Sequence, residues 1–479
     1  MGDRPSGAHL GGGGDLGQHG AVIPVVTPEE MGAIDAAAPE PVEVLIERAG
    51  EATFRAALDL LGGTYGRRVV LVAGKGNNGA DGRSAARRLR RRGVRVVELD
   101  PTALPAVLPR ADLLLDAAYG TGFRGEWSPP PVPDGAAVLA VDIPSGVDGL
   151  TGVAHGDPWP ADLTVTFAAL KPGLLLRDGP DLAGDVHLAD IGLDTGRART
   201  HLVERADLAA WLPDWAHDAH KWQAACWIVA GSPGMTGAAH LSASGAQRAG
   251  AGYVRLSTPG LERDPGAPVE VVGIELPAEG WADDVLADVD RIAALGVGPG
   301  LGRADETLAA VRTLVAATDR PTIVVDGDGL AALADDVDGR LTGGDVPSVV
   351  LTPHDGELAR LGADVDAPDR IAEVRALAAR RGAVVLAKGS TTVVAAPDGR
   401  VLLATAGDAR LATAGTGDVL TGVLTALLAQ GLEPLEAAAA AAHLHGRAGA
   451  LAWRRGLVAS DVAAHLPEAL AEIDDPPKD

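Results

Sequence analysis

Beyond Gly20 the chain repeats one grammar: a short run of β-branched and aliphatic residues, a glycine-bearing turn, then a segment with helical spacing of apolar positions. Continuous apolar runs between turns predict buried strands, and their alternation with helical segments predicts largely parallel sheets. In the first half the strands are expected at Val69–Ala73, Val94–Leu99, Leu113–Asp116, Val138–Asp142 and Leu163–Phe167. In the second half they are expected at Trp227–Ala230, Ile292–Val297, Thr322–Asp326, Val349–Thr352, Val384–Lys388 and Thr392–Ala395. The charged stretch 193–206 carries no periodic element and reads as a linker, with a second sheet starting at Cys226. Residues 1–20 are rich in glycine and polar residues without apolar periodicity, and read as a disordered tail. The expected organisation is an α/β protein with a tail (1–20) and two domains, 21–200 and 206–475.

Composition narrows the class. A chain of 479 residues accommodates two large domains, and 47% hydrophobic residues supply both cores. Aromatics are only 3%, so those cores must be built from Ala, Val and Leu. A net charge of −24 argues against nucleic acid as a partner, because phosphate backbones demand clustered cations. The one basic cluster, Arg87, Arg88, Arg90, Arg91, Arg92 and Arg95, reads as the solvated face of a surface helix. Cys226 is the only cysteine, which excludes an intrachain disulfide and a cysteine metal cluster, and it is expected to be buried and inert. No uninterrupted apolar stretch approaches ~18 residues and no basic-plus-apolar export signal is present, so a cytoplasmic protein with no membrane partner is expected.

Chemistry gathers at the strand ends. Val69–Ala73 runs into Gly74-Lys75-Gly76-Asn77-Asn78-Gly79, a formal G-x-G-x-x-G match, with Asp100 placed as a ribose-binding acid would be. A dinucleotide dehydrogenase is the first idea, yet Asn77, Asn78 and Asp81 fit it badly. A pyrophosphate turn wants small residues and backbone donors, whereas two amides and a carboxylate can hold a cation or an amide-bearing ligand. Asp116, Asp142, Ser145 and Lys171 each follow a strand, and in doubly wound sheets ligands bind beyond those carboxyl ends. Singly each could be a loop cap; together with Asp81 they make a site.

These residues carry a resemblance. Gly76–Gly82, Tyr119–Gly125, Val141–Gly146 and Lys171-Pro172-Gly173 resemble the NAD(P)H-hydrate epimerase domain, a Rossmann-like fold that interconverts the R and S hydrates of NADH and NADPH. The resemblance implies K+ ligation by Asn78, Asp116 and Ser145. It implies a hydrate-binding surface of Asn77, Asn78, Gly79, Ala80 and Asp81, with Gly120, Thr121, Gly122, Phe123, Arg124, Gly125, Glu126 and Asp142. Ala80 departs from the family's usual glycine there. Asp142 and Lys171 are the candidates for the proton transfers of epimerisation.

In the second half the most informative stretch is Gly415-Thr416-Gly417-Asp418, which opens a long apolar helix. A glycine turn at a helix N-terminus presents free N–H groups and a positive dipole end to an anion. Asp418 puts a carboxylate where phosphate would sit. Taken alone it is most simply an N-cap, but a base beside a transferring phosphoryl group would also be placed there. Further strand ends bring Gly300, His354 and the Lys388-Gly389-Ser390-Thr391-Thr392 loop, and the turn after Trp227–Ala230 leads to Ala238. His354 reads equally as a cap or as a site residue.

This half, from about Lys221 to Ala464, resembles the ADP/ATP-dependent NAD(P)H-hydrate dehydratases of the ribokinase-like superfamily, down to Gly456-Leu457-Val458-Ala459-Ser460-Asp461. The resemblance implies that Asp418 is a general base and that Ala238, Gly300, His354 and Asp418 contact the hydrate. Lys388, Gly389, Ser390, Thr391, Thr392, Gly415, Thr416 and Gly417 would face ADP, with Mg2+ as its companion. The two resemblances together imply an isomerase and a lyase on one metabolite, in a homo-oligomer. Two other readings compete: a ribokinase-like small-molecule kinase with a non-catalytic N-terminal binding domain, and a scaffold protein with one dead half.

Overall fold

The computed structural model describes residues 22–214, 217–337, 339–342 and 349–474; the expected tail 1–20 lies outside them. The chain divides into two compact units, 23–199 and 200 to the C-terminal end.

In the first unit, β1 (Ile23–Val25) runs beside Leu170, and the central sheet is built from β2 (Arg68–Ala73), β3 (Arg95–Leu99), β4 (Leu113–Ala117), β5 (Ala137–Val141), β6 (Leu163–Phe167) and β7 (Asp185–Ala189). The sheet order is β3-β2-β4-β5-β6-β7, parallel throughout. Alternation along β2 shows why it sits centrally. Val69, Leu71 and Ala73 enter one core with Ala85 and Leu89, while Val70 and Val72 enter another with Trp127 and Trp159. The first face is covered by helices Val42–Leu61 and Asn77–Arg91, which approach so closely at Gly50 that an added Cβ would lie 2.2 Å from Ser84 Oγ. Of the arginine cluster, Arg87, Arg88, Arg90 and Arg91 lie on the second of these helices and Arg92 caps it, whereas Arg95 opens β3; Arg87 and Arg88 pair with Glu47, and Arg90 with Glu98.

The second unit holds β8 (Thr200–Leu202), β9 (Ala225–Val229), β10 (Tyr253–Ser257), β11 (Val272–Gly273), β12 (Ala294–Val297), β13 (Thr322–Val325), β14 (Val349–Leu351), β15 (Val384–Ala387), β16 (Thr392–Ala395) and β17 (Val401–Ala404). Their order is β8-β17-β16-β15-β14-β13-β12-β9-β10-β11, antiparallel only where β16 meets β15 and β17. The sheet therefore does not start at Cys226. The stretch read as a linker contains β8, which pairs in parallel with β17 and is held by Arg375 Nη2 donating to Thr200 Oγ1 at 2.7 Å. Cys226 is buried, and burial pushes its thiol up to about 12, an inert state.

Small residues let three helices, Gly237–Arg248, Thr416–Ala429 and Pro434–Leu451, stack tightly against this sheet. At Gly422 a Cβ would meet Ser242 O at 1.9 Å, and at Gly245 it would meet Val419 O at 2.4 Å. Ala437–Ala442 are buried in the same core. Among the described residues no helix is long and apolar enough to cross a membrane.

Candidate active sites

In the first unit a cavity of about 590 Å³ opens beyond the carboxyl ends of β2, β4, β5 and β6. Gly76, extended and with no side chain to cap, starts the helix at Asn77, so Asn77 to Asp81 form its first turns rather than a free loop. Asn77, Asn78, Gly79 and Asp81 line the cavity, as do Gly120, Thr121, Gly122, Phe123, Asp142 and Lys171. Ala80, Arg124, Gly125 and Glu126 are not part of its wall; Arg124 turns back to donate to Phe123 O at 2.7 Å.

Asp142 follows β5 in the left-handed region at φ +66°, an uncommon conformation that turns its carboxylate toward Lys171. Lys171 Nζ donates to Asp142 Oδ1 at 2.5 Å, to Thr166 Oγ1 at 2.8 Å and to Phe167 O at 3.1 Å. The ammonium is 1% exposed and the carboxylate 18%, so the pair is nearly dry. Asp81 faces the same cavity without a cation of its own. Burial, then the Asp142 and Asp35 charges, push it up to about 8 against the pull of Lys171. Asp35 is a wall residue that the sequence reading did not mark; burial raises it as well.

The three expected cation ligands converge. Asp116, 1% exposed, accepts from Ser145 N at 2.9 Å and from Ser145 Oγ at 2.6 Å. Tyr119 O accepts from both Ser145 Oγ (3.1 Å) and Asn78 Nδ2 (2.9 Å), which ties Asn78 to the other two. Burial raises the Asp116 carboxyl, with the Ser145 hydrogen bonds opposing. Asn78 Oδ1 is buried with no partner. An orphaned amide oxygen beside a carboxylate, a hydroxyl and a carbonyl is an all-oxygen set that fits a hard monovalent cation.

In the second unit Gly415, at φ +91°, turns the chain into helix Thr416–Ala429. Thr416 is spent on structure, its hydroxyl donating to Leu411 O (2.7 Å) and Thr413 O (2.9 Å). Its carbonyl accepts from His445 Nε2 at 2.9 Å, and burial holds that imidazole down to about 4. Asp418 makes no capping bond. Burial first, and then the Asp326 charge, push it up to about 6, with Lys388 opposing. Lys388 Nζ lies 2.7 Å from Asp326 Oδ1, and Asp326 Oδ2 accepts from Thr421 Oγ1 at 2.8 Å. A Cβ on Gly417 would stand 3.5 Å from Lys388 Nζ and 3.8 Å from Asp326 Oδ2. The structure thus gathers Gly415, Gly417, Asp418 and Lys388 at one helix end. It adds Asp326, which sequence reading saw at a strand end but gave no role.

The remaining residues flank this centre. Gly300, at φ +65°, sits against Ala238, whose Cβ is 3.0 Å from where a Gly300 Cβ would be. The Lys388 loop is braced by Arg370, which donates to Lys388 O at 3.0 Å and to Asp355 Oδ1 at 2.7 Å. Gly389 and Ser390 are exposed, Thr391 is buried, and Thr392 already belongs to β16. His354 caps helix Asp355–Arg360, its Nδ1 accepting from Gly356 N at 3.0 Å, while its side chain stays 59% exposed. The cap occupies Nδ1, and Nε2 lies 3.4 Å from Glu357 Oε1, so both ring nitrogens face their own helix turn.

The comparisons with known proteins agree with this division. The NAD(P)H-hydrate dehydratase family matches residues 226–472, and the YjeF-related protein N-terminus family matches residues 42–104 and 97–173. The bifunctional NAD(P)H-hydrate repair enzyme of Moorella thermoacetica is 36% identical over 523 residues, covering 94% of this chain and 97% of its own. That of Mycobacterium tuberculosis (strain H37Rv) is 40% identical over 404 residues, covering 79% of this chain and 82% of its own. Among solved structures, the ADP/ATP-dependent NAD(P)H-hydrate dehydratase of Bacillus subtilis, co-crystallized with ATP/Mg2+, is 29% identical with a TM-score of 0.50, covering 56% of this chain and 97% of that one. A ribokinase-like superfamily protein of Enterococcus faecalis shares the fold at 21% identity, with a TM-score of 0.51 over 57% of this chain and 96% of that one. Relatives that match through both halves and are named bifunctional repair enzymes support that reading over a small-molecule kinase with a non-catalytic N-terminal binding domain. The chain belongs to the bifunctional NAD(P)H-hydrate repair enzymes.

Proposed function

We propose that the first unit interconverts the R and S hydrates of NADH and NADPH, and that the second dehydrates the S form at the expense of ADP. The observation that carries the reading is Asp418. It is a carboxylate at a glycine-turned helix N-terminus, free of any capping bond and near Lys388. A phosphoryl group held by that turn and that lysine would have a base beside it.

In the second unit the hydrate's hydroxyl oxygen attacks the terminal phosphorus of ADP, and Asp418 takes the hydroxyl proton. The new O–P bond forms as the bond from that phosphorus to the bridging oxygen breaks, releasing AMP. The backbone N–H groups at Gly415–Gly417 and the Lys388 ammonium neutralise charge developing on the phosphoryl oxygens. Phosphate then leaves carbon, the adjacent carbon loses a proton, and the nicotinamide double bond returns. ADP enters as its Mg2+ complex. Ala238, Gly300 and His354 line the hydrate side, and the 388–392 loop lines the nucleotide side.

In the first unit, Asp142 and Lys171 move the protons of epimerisation, with the hydrate lying against Asn77–Asp81 and Gly120–Phe123. Asn78, Asp116 and Ser145 are the residues that would hold K+, and a bound K+ would supply a fixed positive charge beside the cavity. Replacing K+ with a bulkier organic cation should slow epimerisation and leave dehydration unchanged.

The test is recovery of the reduced-nicotinamide absorbance band from mixed NADH hydrates and ADP. Full recovery is expected. Recovery limited to the S fraction would leave the first unit without epimerase activity, and no recovery would overturn the reading.

A further inference from the structure

We propose that Asp326 is a positioning residue for the dehydration step, holding the Lys388 ammonium and the first turns of the Asp418 helix on one carboxylate. The inference rests on the reading of Asp418 as the base and Lys388 as a phosphate ligand.

Asp326 follows β13 and is 3% exposed. Its two oxygens do different work. Oδ1 takes Lys388 Nζ at 2.7 Å from the loop after β15, while Oδ2 takes Thr421 Oγ1 at 2.8 Å from the helix itself. Thr421 lies one turn beyond Asp418, and its hydroxyl also reaches Gly417 O at 3.2 Å. One carboxylate therefore fixes the separation between the cation that meets phosphate and the helix end that carries the base. Both heads stand beside Gly417, where a Cβ would lie in ordinary contact with Lys388 Nζ at 3.5 Å and Asp326 Oδ2 at 3.8 Å.

The same carboxylate acts on the base electrostatically. The charged groups that set Asp418 are Asp326 from beyond β13, which raises it, and Lys388 from beyond β15, which lowers it. His445, from helix Pro434–Leu451, is held neutral by burial and is occupied with Thr416 O.

The experiment uses the full chain with purified S-hydrate and saturating Mg–ADP, and records dehydration kcat against pH. In the parent enzyme the acid limb should lie near about 6, the value for Asp418. Asp326→Asn should lower kcat roughly ten- to hundredfold, the scale of a misplaced catalytic group. It should also move the acid limb down toward 3.8, the ordinary carboxyl value. Ionisation of ADP itself is common to both enzymes and cancels in the comparison. A reduced kcat with an unmoved acid limb would overturn the electrostatic part, and an unchanged kcat the positioning part. Should Asp326→Asn fail to fold, Thr421→Val decides: it cuts the tie to the helix, should lower kcat, and Thr421→Ser should restore it. Equal rates in the parent, Val and Ser forms would overturn the proposal. Asp418→Asn runs alongside. If it still dehydrates, the base reading fails; if it is inactive while Asp326→Asn matches the parent, only the present inference fails.

Discussion

Replacing Lys171 with methionine isolates the energetics of the first unit's site. The substitution keeps much of the side-chain volume and removes the ammonium that lies 2.5 Å from Asp142 Oδ1. It also takes one bond each from Thr166 Oγ1 and Phe167 O, at 2.8 and 3.1 Å, which keep their bonds to Asp142 Oδ1 (3.2 Å) and Ala169 N (2.7 Å). Removing one member of a buried ion pair costs about 3–5 kcal/mol, because the other charge is left uncompensated. Asp142 keeps 18% exposure toward the cavity, where water can partly solvate it, so the loss should sit at the lower end, about 3 kcal/mol. For a domain of this size each kcal/mol lowers the melting temperature by about 2–4 °C, which gives a drop of roughly 6–12 °C. Combining Lys171→Met with Asp142→Asn removes the stranded charge. The pair should then be less destabilised than the sum of the singles by about 2 kcal/mol, a coupling typical of groups in direct contact. Calorimetry on the full chain measures the melting, and chromatographic separation of R and S hydrates measures epimerisation, which all three variants should lose. Dehydration of supplied S-hydrate should persist. A Lys171→Met protein that melts with the parent, or a double variant no better than the additive sum, would refute the argument that the pair is dry and coupled.

Three further outcomes are expected. Asp418→Asn should abolish ADP-dependent dehydration and leave the R/S exchange rate intact; residual dehydration at the parent rate would remove Asp418 from its role. Asp81 bears on stability as well as on the hydrate surface. Held near 8 by burial and the Asp142 and Asp35 charges, it keeps a proton that the unfolded chain has released above 3.8. The folded state therefore loses stability as pH rises between those two values. Asp81→Asn should raise the melting temperature at pH 7, by about 1–3 kcal/mol of stability, and have no effect below pH 3.8; a difference constant with pH would refute this. Gly422→Ala places a methyl 1.9 Å from the Ser242 carbonyl oxygen, where the obstacle is backbone. Forcing the two helices apart should cost about 3 kcal/mol or more and be seen as a lowered melting temperature, whereas a neutral substitution would mean the helices slide freely.

Where strands are central, the sequence pattern placed them well. β2, β4, β6, β9, β13 and β15 are buried on both faces, so each reads as a continuous aliphatic run. β17 carried the same aliphatic signal and was passed over, but three other strands that escaped notice lack it for a physical reason. β7 alternates Asp185, Val186 and His187 because it closes one edge of its sheet, and β8 is only three residues long. β10 carries Arg255, whose guanidinium reaches Asp288 at 2.8 Å while lying over the Trp227 ring. Site residues followed a similar division. Those after glycine turns or strand ends could be picked out, whereas Asp35 sits on helix Pro28–Ala36, ahead of the central sheet, with no local signature. Only the fold brings it to the Asp81 wall.

The two glycine turns that open helices in the two units look alike in sequence and do different physical work. At Asn77 the first helical turn contains no acid; its residues face a cavity, and the buried Asp116–Ser145 pair lies beyond the neighbouring strands β4 and β5. At Thr416 the first turn contains Asp418, and the helix dipole there favours a charged carboxylate by about 0.3–1 kcal/mol. Against this, Asp418 is raised from 3.8 to about 6. At about 1.36 kcal/mol per unit that rise corresponds to roughly 3 kcal/mol, which exceeds the dipole contribution. Burial and the Asp326 charge therefore win, and a first-turn carboxylate that would otherwise stay ionised is kept protonatable close to neutral pH. A carboxylate fully stabilised by its helix would be a poor base. The raised proton affinity would suit the proposed base to accept a hydroxyl proton, and it comes first from burial and then from the Asp326 carboxylate after a strand distant in sequence, not from the helix dipole.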